Sequence, residues 1–383
     1  MALELAIKLI FGSLPAATRR RLAGPPAVVD GEPLDPDLQL LLRLERMTIA
    51  GTPAAPVQRR REHQDVATAL VGGRRQAGVA ARALVIDRTA GEPLAARLYV
   101  PDGLPIGSPL LVYLHGGGWV TGSLNSHDAV CGLLAARAGV RVLAVDYRLA
   151  PEHPFPAAVD DAVAGLRYAR AHAADVDADP RAIALGGDSS GANLAAVAAH
   201  LAVRAGEPGP DRLLLFYPPC DAVNRTASRD LFADGFLLTE ADIVWFRDHY
   251  IPVVRDQGDP RASILLADDL TGMPPTHLVT AGFDPLRDEG EMFGRRLAEA
   301  GVPVTVRREP DLVHGFVNMI GLSARCRAAV ADAAVTLRDA FADGAAEQGA
   351  PGETRTHTVR DLNPLPLPIG IRGQAPVPGA APS

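Results

Sequence analysis

The chain has almost no lysine. Lys8 is the single one among 38 basic residues in 383, and it sits near the amino terminus inside an apolar run. That excludes functions built on an amine. A Schiff-base enzyme needs a buried lysine, a P-loop needs Gly-Lys-[Ser/Thr], and a protein kinase needs a strand lysine. Cysteine is scarce too. Cys131, Cys220 and Cys326 are odd in number, scattered and without a CxxC spacing. They make neither a disulfide framework nor a zinc site, so a cytoplasmic location is expected. No run approaches the roughly 20 apolar residues of a membrane span. Met1 to Phe11 is apolar apart from Glu4 and Lys8, an i,i+4 pair on one helical stripe. Glu4 comes before any positive charge, so this stretch is expected to be a covering helix with a Glu4–Lys8 surface pair, and not a signal peptide. The formal charge of −7 argues against a nucleic-acid partner, because phosphate binding wants a basic field.

What is present divides into regions of different texture. Residues 1–78 read as helical pieces between Pro/Gly segments. The best of them starts at Pro36, with Asp35 as N-cap and Pro36 in the first helical position. The basic triplets Arg19–Arg21 and Arg59–Arg61 are expected to be solvated faces. From about residue 80, short β-rich runs alternate with helical ones. Strands are expected at 82–87, 95–100, 110–114, 140–145, 182–185, 213–216, 276–280 and 304–306. Helices are expected at about 127–138, 157–173, 191–205 and 288–300. Near-continuous apolar strands alternating with helices predict an α/β fold, with a mostly parallel sheet covered on both faces and ligands at the carboxyl ends of the strands. Residues 79–219 and 265–344 would form this domain. Residues 220–264 interrupt it with an aromatic-rich helical insertion holding Phe232, Phe236, Trp245, Phe246 and Tyr250. The Pro/Gly/Ala-rich segment 345–383 is expected to be disordered. Within it, Arg360-Asp361-Leu362-Asn363-Pro364 is what the complement of a tRNA T-arm would encode, so the frame is expected to run into a neighbouring antisense gene there.

Gly187-Asp188-Ser189-Ser190-Gly191 fits G-x-S-x-G and lies between an apolar strand and a helical run, the setting of a nucleophile elbow. Register singles out Ser189. Were Ser190 the nucleophile, glycines would be needed at 188 and 192, which hold Asp188 and Ala192. His115-Gly116-Gly117-Gly118-Trp119 follows another strand directly. Acyl transfer needs preorganised N–H groups aimed at a developing oxyanion, and a glycine-rich loop lets the backbone come that close. The acid and base must follow in the order Ser, acid, His. Asp284 lies just past one later strand, and His314 lies past the next. The other histidines precede Ser189, fall inside expected helices or strands, or sit in the tail. Two patterns are set aside. Asp175-Val176-Asp177-Ala178-Asp179 begins like a calcium loop but has Pro180 where glycine is needed and Gly186 where glutamate is needed. Asn224-Arg225-Thr226 is a glycosylation sequon without a secretory context.

These motifs, with Asp146-Tyr147-Arg148-Leu149-Ala150-Pro151-Glu152-His153-Pro154-Phe155-Pro156, Asp284–Glu289 and His314-Gly315-Phe316, resemble the hormone-sensitive-lipase-like branch of the α/β-hydrolases, the bacterial family IV esterases. The resemblance spans roughly residues 35 to 340. It implies an eight-stranded sheet, a helical cap built from the amino terminus and the later insertion, and hydrolysis of short- to medium-chain acyl esters with no cofactor. It also implies Ser189, Asp284 and His314 as triad, and an oxyanion hole of Gly117, Gly118 and Ser190 with Gly116 alongside. The family commonly has Gly-Asp-Ser-Ala-Gly-Gly, where this chain carries Ser190 and Ala192. The expected partner is a small ester substrate, and a homodimer is allowed for. A non-catalytic receptor on the same fold, or an amidase or lactonase, are the alternatives. Arg148, paired with Glu152 and with Asp160 or Asp161, is expected to hold the elbow and oxyanion loops through buried ion pairs.

Overall fold

The computed structural model describes residues 2–49, 56–88 and 91–349. The side chains of the expected Glu4–Lys8 pair, and everything beyond Gly349, lie outside what is described. Eight strands build the main sheet: β1 (Val79–Ile86), β2 (Leu94–Pro101), β3 (Ser108–Leu114), β4 (Arg141–Val145), β5 (Ala178–Asp188), β6 (Arg212–Phe216), β7 (Thr276–Phe283) and β8 (Val304–Val313). Their order is β8-β7-β6-β5-β3-β4-β2-β1. Only the pairings of β2 with β1 and with β4 are antiparallel. Every expected strand is present, and several run longer than the apolar stretch that marked them. Polar ladder residues such as Arg307 and Glu309 hydrogen-bond to a neighbouring strand as well as valine does, so the ladder outruns the pattern. The strand Ala178–Asp188 also passes through Pro180 and Gly186, which ends the calcium-loop pattern.

Alternation along β3 sorts its side chains onto two buried faces. Leu110, Val112 and Leu114 pack with α6 (Ala157–Ala171), α7 (Ser190–Ala205) and α10 (Arg287–Glu299). Leu111 and Tyr113 pack with α5 (Asp128–Ala138) and α11 (Ala324–Gly349) on the other face. The helix α11 was not anticipated, and it corrects the expected start of the tail: residues 345–349 continue the helix. Its Ala329, Val330, Ala333, Ala334 and Leu337 are buried at helical spacing, yet alanine is weakly hydrophobic and the stripe is faint as a pattern.

The amino-terminal segment forms α1 (Ala2–Ser13), α2 (Ala16–Ala23), α3 (Pro36–Ile49) and α4 (Val57–Val71), with a short ribbon between Val28–Val29 and Glu32–Pro33. Asp35 caps α3 as expected, its Oδ1 accepting the N–H groups of Asp37 and Leu38. Leu38, Leu41 and Leu42 then fall on one buried stripe. The insertion between β6 and β7 contains α8 (Ala227–Leu231) and α9 (Glu240–Tyr250). A reciprocal capping box of Thr239 and Asp242 starts α9.

Candidate active site

Ser189 sits at the end of β5 with φ 51° and ψ −124°, a conformation that strains a residue with a Cβ. The turn survives because its flanks are glycines. A Cβ on Gly187 would lie 2.3 Å from the Leu114 carbonyl oxygen, and one on Gly191 only 1.9 Å from it. The Ser189 N–H donates to Phe216 O at 2.9 Å, tying the elbow to β6. The helix α7 starts at Ser190, so the site faces the positive end of its dipole.

The two residues expected to serve Ser189 come to it from neighbouring strand ends. Asp284 is fully buried just past β7, and Leu286 N–H fixes its Oδ1 at 2.8 Å. His314, just past β8, has Nδ1 2.8 Å from Asp284 Oδ2 and Nε2 3.0 Å from Ser189 Oγ. A carboxylate beside Nδ1 accepts a hydrogen bond from an N–H there, which leaves Nε2 free to accept from the serine hydroxyl. The Tyr217 ring packs 4.6 Å from the imidazole, centroid to centroid, and holds its plane.

The loop after β3 closes the other side. Gly117 and Gly118 have φ 126° and 59°. The Gly117 carbonyl accepts from Val120 N, Thr121 N and Thr121 Oγ1 within 3.2 Å, which makes this loop a fixed turn. Gly116, expected alongside the oxyanion donors, has its amide engaged inside the protein. Its N–H points inward to Asp188 Oδ1 at 3.0 Å. An amide spent on a buried carboxylate is not free for a substrate oxygen.

Beneath the loop lies a polar cluster that the motif reading did not single out. Asp188, the residue before the nucleophile, is buried and also accepts from Tyr113 Oη at 2.9 Å, with His127 Nε2 3.1 Å away. Burial alone would raise its carboxyl, but the His127 charge and hydrogen bonds from His127 and Tyr113 bring it below the ordinary value. His115 is pushed down to about 4 by burial and by His127, so its imidazole is neutral. His127 was read only as part of a helix. The signal in the sequence was weak: a histidine just before a helix start, after a serine.

Several arginines do more than expected. Arg148 grips Asp161 bidentately, with Nε and Nη2 each 2.8 Å from a carboxylate oxygen, so Asp161 and not Asp160 is the partner. Glu152 does not join them. It pairs on the surface with Arg61 of α4 at 2.7 Å. Arg61 also donates to Val120 O and Ala150 O, and Gln64 meets Thr121 Oγ1, so α4 braces the loop. Arg60 pairs with Asp242 at 2.9 Å and lies 4.1 Å over the Trp245 ring of α9. Arg19 is held by both oxygens of Asp37. Three of the six triplet arginines are therefore engaged and not solvated. Each finds its acidic partner on another helix or loop, so a local charge pattern could not show it.

A serine on a strand–turn–helix elbow, with a carboxylate and a histidine past later strands, is the arrangement found in hydrolases built on an α/β sheet. Residues 111–318 match the family model described as alpha/beta hydrolase fold. The carboxylic ester hydrolase LipN of Mycobacterium tuberculosis is 44% identical over 319 residues, covering 81% of this chain and 84% of that protein. The ethyl acetate hydrolase of Pseudomonas putida is 36% identical over 295 residues, 75% of this chain and 92% of that protein. Among solved structures, the ester-hydrolase EH1AB1 from the metagenome of Lake Arreo superposes with a TM-score of 0.76 at 38% identity, covering 81% of this chain and 99% of that one. The chain belongs to the α/β-hydrolase family, in its hormone-sensitive-lipase-like branch. No helix among the described residues is long and apolar enough to cross a membrane.

Proposed function

We propose that this chain, a carboxylic-ester hydrolase, cleaves short- to medium-chain acyl esters through Ser189, His314 and Asp284. The observation that carries the reading is the continuous chain of contacts Ser189 Oγ, His314, Asp284 at 3.0 and 2.8 Å. Oγ attacks the ester carbonyl while Nε2 of His314 takes its proton. The N–H groups of Gly117, Gly118 and Ser190 hold the oxyanion. Asp284 orients the imidazole and stabilises its charged form. Collapse expels the alcohol, which leaves with the proton from His314. Water activated by His314 then hydrolyses the acyl-serine, returning Ser189 and releasing the acid. Each oxyanion donor is worth about 2.7–4 kcal/mol of barrier.

Support for a modest acyl length comes from the cover. The Phe246 ring packs so close to Gly118 that a Cβ there would lie 2.3 Å from it. Residues 1–78 and 220–264 act together as this cover, with Arg60 bridging to α9. A cytoplasmic location is supported by the free, buried state of Cys131, Cys220 and Cys326. The enzyme is also proposed to work as a homodimer, which light scattering of the purified protein tests.

The test is hydrolysis of p-nitrophenyl esters from acetate to laurate. Rates should peak among the shorter chains. Ser189→Ala should lower kcat by about 10⁴-fold or more. Wild-type turnover by that variant would overturn the assignment.

A further inference from the structure

His127 is one of the most buried polar side chains near the site, and the mechanism above does not use it. We propose that it is a positioning residue: through Asp188 it sets the orientation of the peptide that carries the Gly117 N–H. This rests on the esterase reading and extends it to a residue outside the triad and the oxyanion donors.

Both ends of Gly116 are held. Its N–H donates to Asp188 Oδ1 at 3.0 Å, and its carbonyl oxygen lies 2.9 Å from His115 Nδ1. The carbonyl of Gly116 and the N–H of Gly117 share one rigid peptide plane. Fixing Gly116 at both ends therefore fixes where the Gly117 N–H points. The Asp188 carboxylate is packed flat against Gly116, since a Cβ there would lie 2.3 Å from Asp188 Oδ2. Asp188 is followed directly by Ser189, so one residue registers the nucleophile against its oxyanion donors. A carboxylate buried this deeply needs donors to stay ionised. His127 is one, its Nε2 3.1 Å from Oδ1 and 3.3 Å from the Gly116 nitrogen, and Tyr113 Oη is the other side-chain donor. His127 is itself held by Ser126 Oγ, 2.8 Å from Nδ1. Without the imidazole, Asp188 keeps its carboxylate less well, and its grip on Gly116 N–H loosens. Misplacement by about 1 Å costs about 10²-fold in rate.

The experiment compares His127→Phe, which keeps bulk but has no donor, with His127→Gln, whose amide nitrogen reaches about as far as Nε2. On p-nitrophenyl butyrate, the phenylalanine variant should lose about 10- to 100-fold in kcat with KM changed by less than about threefold. The glutamine variant should recover most of the loss. Affinity for a trifluoromethyl ketone, which forms an oxyanion on Ser189, should fall in step with kcat, while affinity for the product acid should not. Should His127→Phe fail to fold, His127→Asn takes its place, because its amide reaches only as far as Nδ1. The inference is overturned if the donor-free variant keeps wild-type kcat, or if glutamine and phenylalanine lose activity equally in proportion to lost Tm. Ser189→Ala is run alongside. Activity in that variant removes the esterase reading itself, whereas an inactive Ser189→Ala beside a fully active His127→Phe removes only the role of His127.

Discussion

Gly191 and Gly118 both lie in the candidate site, and a Cβ on either would collide, but with different things. On Gly191 it would meet the Leu114 carbonyl oxygen at 1.9 Å; on Gly118 it would meet the side-chain ring of Phe246 at 2.3 Å. The first neighbour is the backbone of the central strand, which cannot yield. The second is a ring on a helix of the insertion, and that helix is held to α4 by one ion pair and one cation–π contact. The sheet side of the site is thus set by backbone sterics and buried hydrogen bonds. The helical side is set by side chains a quarter exposed, whose pairs are individually weak. Under the proposed function, chemistry would sit on the rigid side, and the shape of the substrate space would be left to the side that can adjust.

That contrast can be broken by mutation. Gly191→Ala should have the largest effect. Overpacking against a strand backbone costs about 3 kcal/mol or more, so little folded, titratable enzyme should remain. Near-normal Tm and burst amplitude would show that the elbow is softer than its contacts imply.

A middle-sized effect is expected from Glu289, buried at the start of α10, where Cys220 N–H reaches one of its oxygens at 2.7 Å. Burial pushes its carboxyl up to about 8. The folded state then holds a proton that the unfolded chain releases near the ordinary 4.5. Stability from this group is full below that value, falls as pH rises, and is lost by the time pH passes about 8. Glu289→Gln keeps the acceptor for Cys220 and cannot ionise. It should match the wild type at pH 4 and exceed it by several kcal/mol at pH 9, read from urea unfolding. Equal stability at both pH values would sink the account.

The smallest effect belongs to the helical side. Arg60→Ala removes the Asp242 pair and the contact with Trp245, worth about 0.5–1 kcal/mol each at such exposure. Tm should fall slightly and kcat on acetate should hold. Relative activity on longer esters should rise as α9 loosens over Gly118. An unchanged chain-length profile would mean that α9 is held by its packing and not by Arg60.

The sheet side was largely legible in the sequence. Strand–turn–helix context and the glycine register single out Ser189 locally, and chain order leads to Asp284 and His314. The helical side was not. Arg59–Arg61 looked like solvated charge, and Glu152 was paired with the wrong arginine, because these partners lie far apart in sequence and are chosen only when helices dock. The inward turn of the Gly116 N–H is hidden in the sequence for a related reason. Composition shows that a glycine loop can approach a ligand, but not which amides turn inward. His127 was passed over because a buried histidine before a helix has no distinctive period or spacing.

By itself, then, the sequence determined the fold class and singled out Ser189, Asp284 and His314 as candidates, since apolar periodicity and glycine sterics act within a few residues. Tertiary structure alone decided that His314 reaches Ser189 across 125 residues, that Gly116 faces Asp188, and that Arg60 and Arg61 clasp the insertion and the loop. Those contacts depend on strand order and helix docking, which bring together groups whose separation along the chain carries no signal of their meeting.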